Sequence, residues 1–122
     1  MSSDPYEVGM QVRRAVLGDE HVDAASAATT AFDADFQRFL TESAWGSVWS
    51  RPGLDRRTRS LVTIAILAAL DRDELDLHLR ASERLGVDPA DVAEALLHVA
   101  VYAGIPAANS AVKRAKAILG TP

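Results

Sequence analysis

The spacing of helix start and stop signals constrains this chain more than any other feature of it. Asp4-Pro5 pairs an N-cap residue with a proline favoured at the first helical position. The helix it opens carries Val12, Val16 and Leu17 and should stop at Gly18. A short second helix is expected from near Asp19, fading in the Ala/Thr-rich stretch before Thr30. Pro52-Gly53 breaks the chain, and Asp55 caps a new helix. Gly86 ends another, Asp88-Pro89 starts the next, Gly104 closes it, and Pro106 opens a last helix running to Leu119. The β-branched residues sit in helical rather than alternating periodicity, and hairpin turn pairs are absent. The expectation is one all-α domain over residues 1–122, with about six to seven helices and short connections.

Two of the expected helices are unusual. One, over about 31–47, carries Phe32, Phe36, Phe39 and Leu40 at helical spacing, an aromatic stripe. The helix after Asp55 contains "LVTIAILAAL", apolar nearly all round, so it should be buried on most sides, within the domain or between subunits. In a chain of 122 residues such a helix invites homo-oligomerisation. Apolar residues make up 48%, enough for a core. A net charge of −4 argues against nucleic acid as a partner. The polar start MSSDPYEVGM lacks a leader's apolar region, and the run Leu61 to Leu70 is too short to span a bilayer. A cytoplasmic protein without a membrane partner is expected. Cysteine is absent, which excludes disulfides, zinc–thiolate sites and thiol redox chemistry on this chain.

Chemistry concentrates in three places. "TESAWGSVWSRPGLDRRTRS" holds both tryptophans and four arginines. Glu42, Trp45 and Trp49, spaced i, i+3, i+7, are expected on one helical face with Phe39. Arg51 follows at the helix end, where a guanidinium beside indole rings can grip a carboxylate bidentately. Of Arg56, Arg57 and Arg59, all in the first turns of a helix whose dipole disfavours them, one is expected to pair with an acid and at most one to serve a site. In "DRDELDLHLR", Glu74 and His78 stand at i and i+4, a spacing that lets a carboxylate raise an imidazole's pKa and fix its tautomer. It equally fits a surface pair. In "LLHVAVYAGIPAAN", His98 and Tyr102 are again i and i+4, and His98 is expected to be buried on a mostly apolar helix. No strong metal-ligand spacing, phosphate loop or nucleophile elbow occurs, so no metal is expected.

Several strings in order, "YEVGMQVRRAVLGDEHVD", "DFQRFLTESAWGSVWSRPGLDRRTRSLVTIAILAAL", "ELDLHLRA" and "LLHVAVYAGIPAAN", resemble the carboxymuconolactone decarboxylase family, over nearly the whole chain. Its wider superfamily is similar to the AhpD-type alkylhydroperoxidases, whose CxxCxxxH motif would fall at Asp71, Glu74 and His78 here. Without cysteines that peroxidase chemistry is lost and the histidine position survives. The resemblance implies an all-helical homo-oligomer, commonly a hexamer, that needs no cofactor. It implies a small-molecule substrate, an unsaturated lactone bearing a ring carboxylate and an acetate arm. It also implies decarboxylation to an enol-lactone in the β-ketoadipate branch of aromatic catabolism.

Within that resemblance the expected roles are these. Arg51 holds the acetate arm, and Trp45 and Trp49 wall the ring. His78 returns the proton with Glu74 or Glu42 as its orienting partner. His98 and Tyr102 face the lactone oxygen or the second carboxylate. Two other readings stand beside this one: a related cofactor-free enzyme acting on another lactone or keto acid, and a non-catalytic helical oligomer serving as a binding module.

Overall fold

Capping chemistry sets most of the helix ends. The computed structural model describes residues 4–120. Helix α1 (Pro5–Leu17) begins where Asp4 Oδ1 accepts a hydrogen bond from Tyr6 N at 2.9 Å and ends at Gly18, whose φ of 92° only glycine adopts easily. Helix α2 (Asp19–Ala28) follows at once, and α3 (Ala34–Leu40) after a short turn. Asp55 caps α4 (Arg56–Ala69) through Thr58 N at 2.7 Å, which holds its carboxyl below the usual carboxylate range. Helices α5 (Leu75–Arg84), α6 (Pro89–Ala103) and α7 (Ile105–Leu119) complete the order. Among the described residues there are seven α-helices and no strand, as the punctuation predicts.

The third helix departs from expectation. It starts at Ala34 rather than Ala31, and from Thr41 to Trp49 it continues as a π-helix. Its i→i+5 ladder packs more residues into each turn. Small hydroxyl residues at its two ends bond back to main-chain carbonyls, Thr41 to Gln37 at 2.8 Å and Ser50, just past Trp49, to Gly46 at 2.6 Å. The wider turn spoils the α-helical register on which the shared face of Phe39, Glu42, Trp45 and Trp49 was expected. The tryptophans stay together and buried, whereas Phe32 (98% exposed), Phe36 and Phe39 face outward.

The chain forms two compact units, Met1–Leu54 and Asp55–Pro122. In the first, α1 lies against the π-helix with backbone nearly touching backbone. A Cβ on Gly9 would overlap the Thr41 carbonyl oxygen and lie 2.9 Å from Gly46 N, and one on Gly46 would overlap the Pro5 carbonyl oxygen. In the second, Ile64, Ala68, Leu75, Leu79, Val92, Leu96 and Val99 join Ala108 and Ala111 in one core. Each fully buried Ile or Leu there contributes about 1.5–3 kcal/mol. The nearly all-apolar α4 buries only one stripe, Ser60, Ile64 and Ala68. Val62, Ile66 and Leu70 remain exposed in the single chain.

Two turns close helices in the second unit in the same way. At Gly86 (φ 73°) and at Asp71 (φ 54°) the chain turns left-handed, and the next amide reaches back five residues, Val87 N to Ser82 O at 2.9 Å and Arg72 N to Leu67 O at 3.0 Å. Asp71 is the one non-glycine residue with positive φ among those described. No helix among the described residues is long and apolar enough to cross a membrane.

Candidate active site

The eight residues singled out by sequence divide between the two units. Glu42, Trp45, Trp49 and Arg51 belong to the first, and Glu74, His78, His98 and Tyr102 to the second.

In the first, Trp45 and Trp49 are buried, with ring centroids 5.1 Å apart and planes tilted by 31°. They form one apolar slab at the C-terminal end of the π-helix. Arg51 follows it directly, exposed, just before Pro52. Glu42 is half-buried and held by Arg38, whose Nε lies 2.8 Å from Oε1. Arg38 also stacks over the Tyr6 ring at 4.8 Å. Glu42 is thus an anchored carboxylate, engaged by an arginine one turn earlier.

In the second, the start of α5 puts His78 in the interior, only 9% exposed, between Leu75 and Leu79. Glu74, the cap residue of α5, is exposed. Of the two readings left open for this pair, a surface pair does not describe the histidine. Asp73 and Asp76 on the same stretch pair with Arg114 of α7 at 3.5 and 3.3 Å, and those bonds raise the Arg114 pKa, Asp76 foremost. They pin the first turn of α5 to α7, and with it the residues that lead into His78.

His98 corrects the expectation of burial. It is exposed on α6, its ring stacked on Tyr102 at 6.3 Å and 9°, with Tyr102 itself 86% exposed. The cause is periodicity: Val92, Leu96 and Val99, at i, i+4 and i+7, take the inner face of α6, and position 98 lies off it. Arg57, the clearest of the three helix-start arginines, donates from Nε to Leu85 O at 3.2 Å at the end of α5 instead of pairing with an acid.

Two cavities are well formed. One of about 490 Å³ lies along α6 and α7, lined by apolar residues such as Leu96, Leu97, Ile105 and Val112. The other, of about 380 Å³, is in the first unit and is lined by Tyr6, Arg13, Gln37, Arg38 and Thr41, among others. None of the eight predicted residues lines either. Sequence reasoning missed Arg13. Its signal was present: it stands four residues after Gly9 and three and four before Val16 and Leu17, inside the buried face of α1. Among the described residues no three His, Asp or Glu side chains converge as metal ligands.

Comparison with known proteins gives this arrangement its context. The profile of the Carboxymuconolactone decarboxylase family matches residues 34–117, which includes all eight residues. A 4-carboxymuconolactone decarboxylase of Acinetobacter baylyi is 50% identical over 114 residues, 93% of this chain and 85% of that one. The nitrosuccinic acid decarboxylase npaB of Metarhizium robertsii is 44% identical over 102 residues, 83% of this chain and 71% of that one. A 4-carboxymuconolactone decarboxylase sequence from Pseudomonas putida is 51% identical over 41 residues, 34% of this chain and 85% of that one. With most of its length matched at this level, the chain belongs to the carboxymuconolactone decarboxylase family.

Proposed function

We propose that this chain decarboxylates 4-carboxymuconolactone to 3-oxoadipate enol-lactone and CO2, using only its own side chains. The observation that carries the reading is the 50% identity over 93% of the chain to a protein named for that reaction. The chemistry is consistent with it. The departing carboxylate's electron pair moves through the ring double bond onto the lactone carbonyl, giving a dienolate. One proton delivered to the carbon next to that carbonyl restores the lactone as the enol form. The substrate supplies its own electron sink, so the protein must grip, shield and reprotonate it.

In this reading Arg51 holds the acetate arm, and the Trp45–Trp49 slab excludes water from the ring. His78 returns the proton, oriented by Glu74 or Glu42. His98 and Tyr102 are candidates for the lactone oxygen, where a preorganised donor is worth about 3–4 kcal/mol, or for the second carboxylate. The chain works as a homo-oligomer, a hexamer by family resemblance. Support comes from the apolar surface left uncovered in one chain, Ile66 on α4 and Leu97 and Val101 on α6. A single-chain mass by light scattering would remove that part.

A second reading follows from the nitrosuccinic acid decarboxylase relative. Nitrosuccinate also loses a carboxylate from a carbon that bears a CH2–COO⁻ arm and is joined to an electron acceptor. The higher identity and coverage favour the lactone. The test offers both compounds to purified protein without added metal or coenzyme and follows CO2. Faster turnover of the lactone, with one solvent deuterium beside the product carbonyl in D2O, is the expected result. Turnover of nitrosuccinate alone would transfer the assignment, and an unlabelled product would refute protonation from an exchangeable group. Arg51→Ala should raise KM about tenfold or more if the guanidinium grips ground and transition states alike, with kcat falling too if it orients the reacting ring. Unchanged steady-state kinetics would remove Arg51 from the site.

A further inference from the structure

Adjacent arginines on α1 have opposite surroundings. Arg14 reaches outward to Asp19 at 3.1 Å and Asp23 at 2.9 Å, and those bonds raise its pKa. Arg13 turns inward and is 7% exposed. Its guanidinium meets only neutral oxygens at long range, Thr41 Oγ1 at 3.4 Å and Gln37 Oε1 at 3.5 Å, and its Nε makes no hydrogen bond among the described residues. The Thr41 hydroxyl donates to the Gln37 carbonyl, so a lone pair is what it presents to Arg13. Burial depresses the Arg13 pKa, yet an arginine stays charged at neutral pH. A buried cation without a counter-charge is costly, and the ordinary remedy is an anion.

The 380 Å³ cavity that Arg13 lines has room for one. Arg38, which also lines it, is committed to Glu42. The exposed Asp35 lines it too but makes no ion pair with Arg13. Among the described residues, the oxygens bonded to the Arg13 guanidinium are thus neutral, and no carboxylate forms an ion pair with it.

We propose that this cavity is a carboxylate-binding subsite in which the Arg13 guanidinium takes a small organic carboxylate through its Nη groups. The carboxylate has two possible sources. It is a carboxylate of the decarboxylation substrate, which rests on the function proposed above and would place Arg13 beside Arg51 in gripping that substrate, or it is a separate small dicarboxylate that binds beside the reaction.

The test needs no turnover, so it stands or fails apart from that function. Full-length ¹⁵N-labelled protein is titrated with succinate, against sodium chloride at matched ionic strength, while the Arg13 Nε–H resonance is followed. The expected result is a saturable shift of that resonance with succinate only, with an affinity at least about tenfold weaker in Arg13→Gln. Arg13→Lys, which keeps the charge and loses the fork, should also weaken it and serves if Arg13→Gln does not fold. Chloride reproducing the shift, no saturation, or equal affinity in a folded variant would overturn the proposal. Steady-state kinetics then separate the sources. Succinate raising the KM of the lactone at constant kcat, with an inhibition constant equal to its dissociation constant, assigns the subsite to a carboxylate of the substrate. A saturable titration without competition assigns it to a separate ligand.

Discussion

His78→Gln should lower kcat by about two to four orders of magnitude while leaving KM within a few-fold of the original. The amide keeps a polar group of similar reach and can still accept and donate hydrogen bonds. It cannot give up a proton near neutral pH, and the proposed reaction needs one delivered to carbon after CO2 departs. His78 is buried on a helix whose first turn is tied to α7 by Arg114, so the substitution should not loosen the scaffold. Circular dichroism and the melting temperature should stay near those of the parent. If the dienolate forms but waits for a proton, exchange of label between ¹³CO2 and the remaining substrate should rise in the variant. A fully active His78→Gln would end the assignment of this residue as the acid. The remaining candidate, His98, has the opposite character. It is exposed and stacked on Tyr102, so His98→Gln should be the milder change when read on one chain's geometry.

Where the sequence was legible, the reason was local. Asp4, Asp55 and Asp88 cap helices through their own side chains, and Gly18 and Gly104 end them with positive φ. These are contacts within three residues and leave a mark in the string. The misses are non-local. Periodicity states which residues share a face, but not whether the protein covers it. The phenylalanine stripe of Phe32, Phe36 and Phe39 was therefore visible, while its outward direction was not. The π-helix could not be read from spacing, because a pattern matched to a 3.6-residue period assumes the register that the wider turn breaks. His98 shows the opposite limit: the overall apolar character of α6 points to burial, whereas its inner stripe of Val92, Leu96 and Val99 leaves position 98 outside. In the string, the adjacent Arg13 and Arg14 are indistinguishable, since residue type alone does not say which one is buried. Neighbours on a helix point about 100° apart, and here Arg14 faces out while Arg13 lies on the buried side.

The close approach of α1 to the π-helix gives the largest stability effect. Gly9→Ala should destabilise the protein by about 3 kcal/mol or more, lowering the melting temperature by about 10 °C or more. Two terms compete. Alanine is the better helix former, and in mid-helix the exchange favours folding by about 0.5–1 kcal/mol. Against it stands a methyl group driven onto the Thr41 carbonyl oxygen, with Gly46 N 2.9 Å away. Neither is the end of a flexible side chain, so relief requires shifting one helix from the other, and the steric term wins. Gly46→Ala meets the Pro5 carbonyl in the same way and should behave alike. Gly53→Ala has open space around its new methyl and should change the melting temperature little. The displaced element is the one that carries Thr41 opposite Arg13 and Trp45 beside Trp49, so a folded Gly9→Ala should also bind succinate more weakly. A variant that melts with Gly53→Ala would show that the two backbones have room to separate, and the tight seat assigned to the π-helix would be lost.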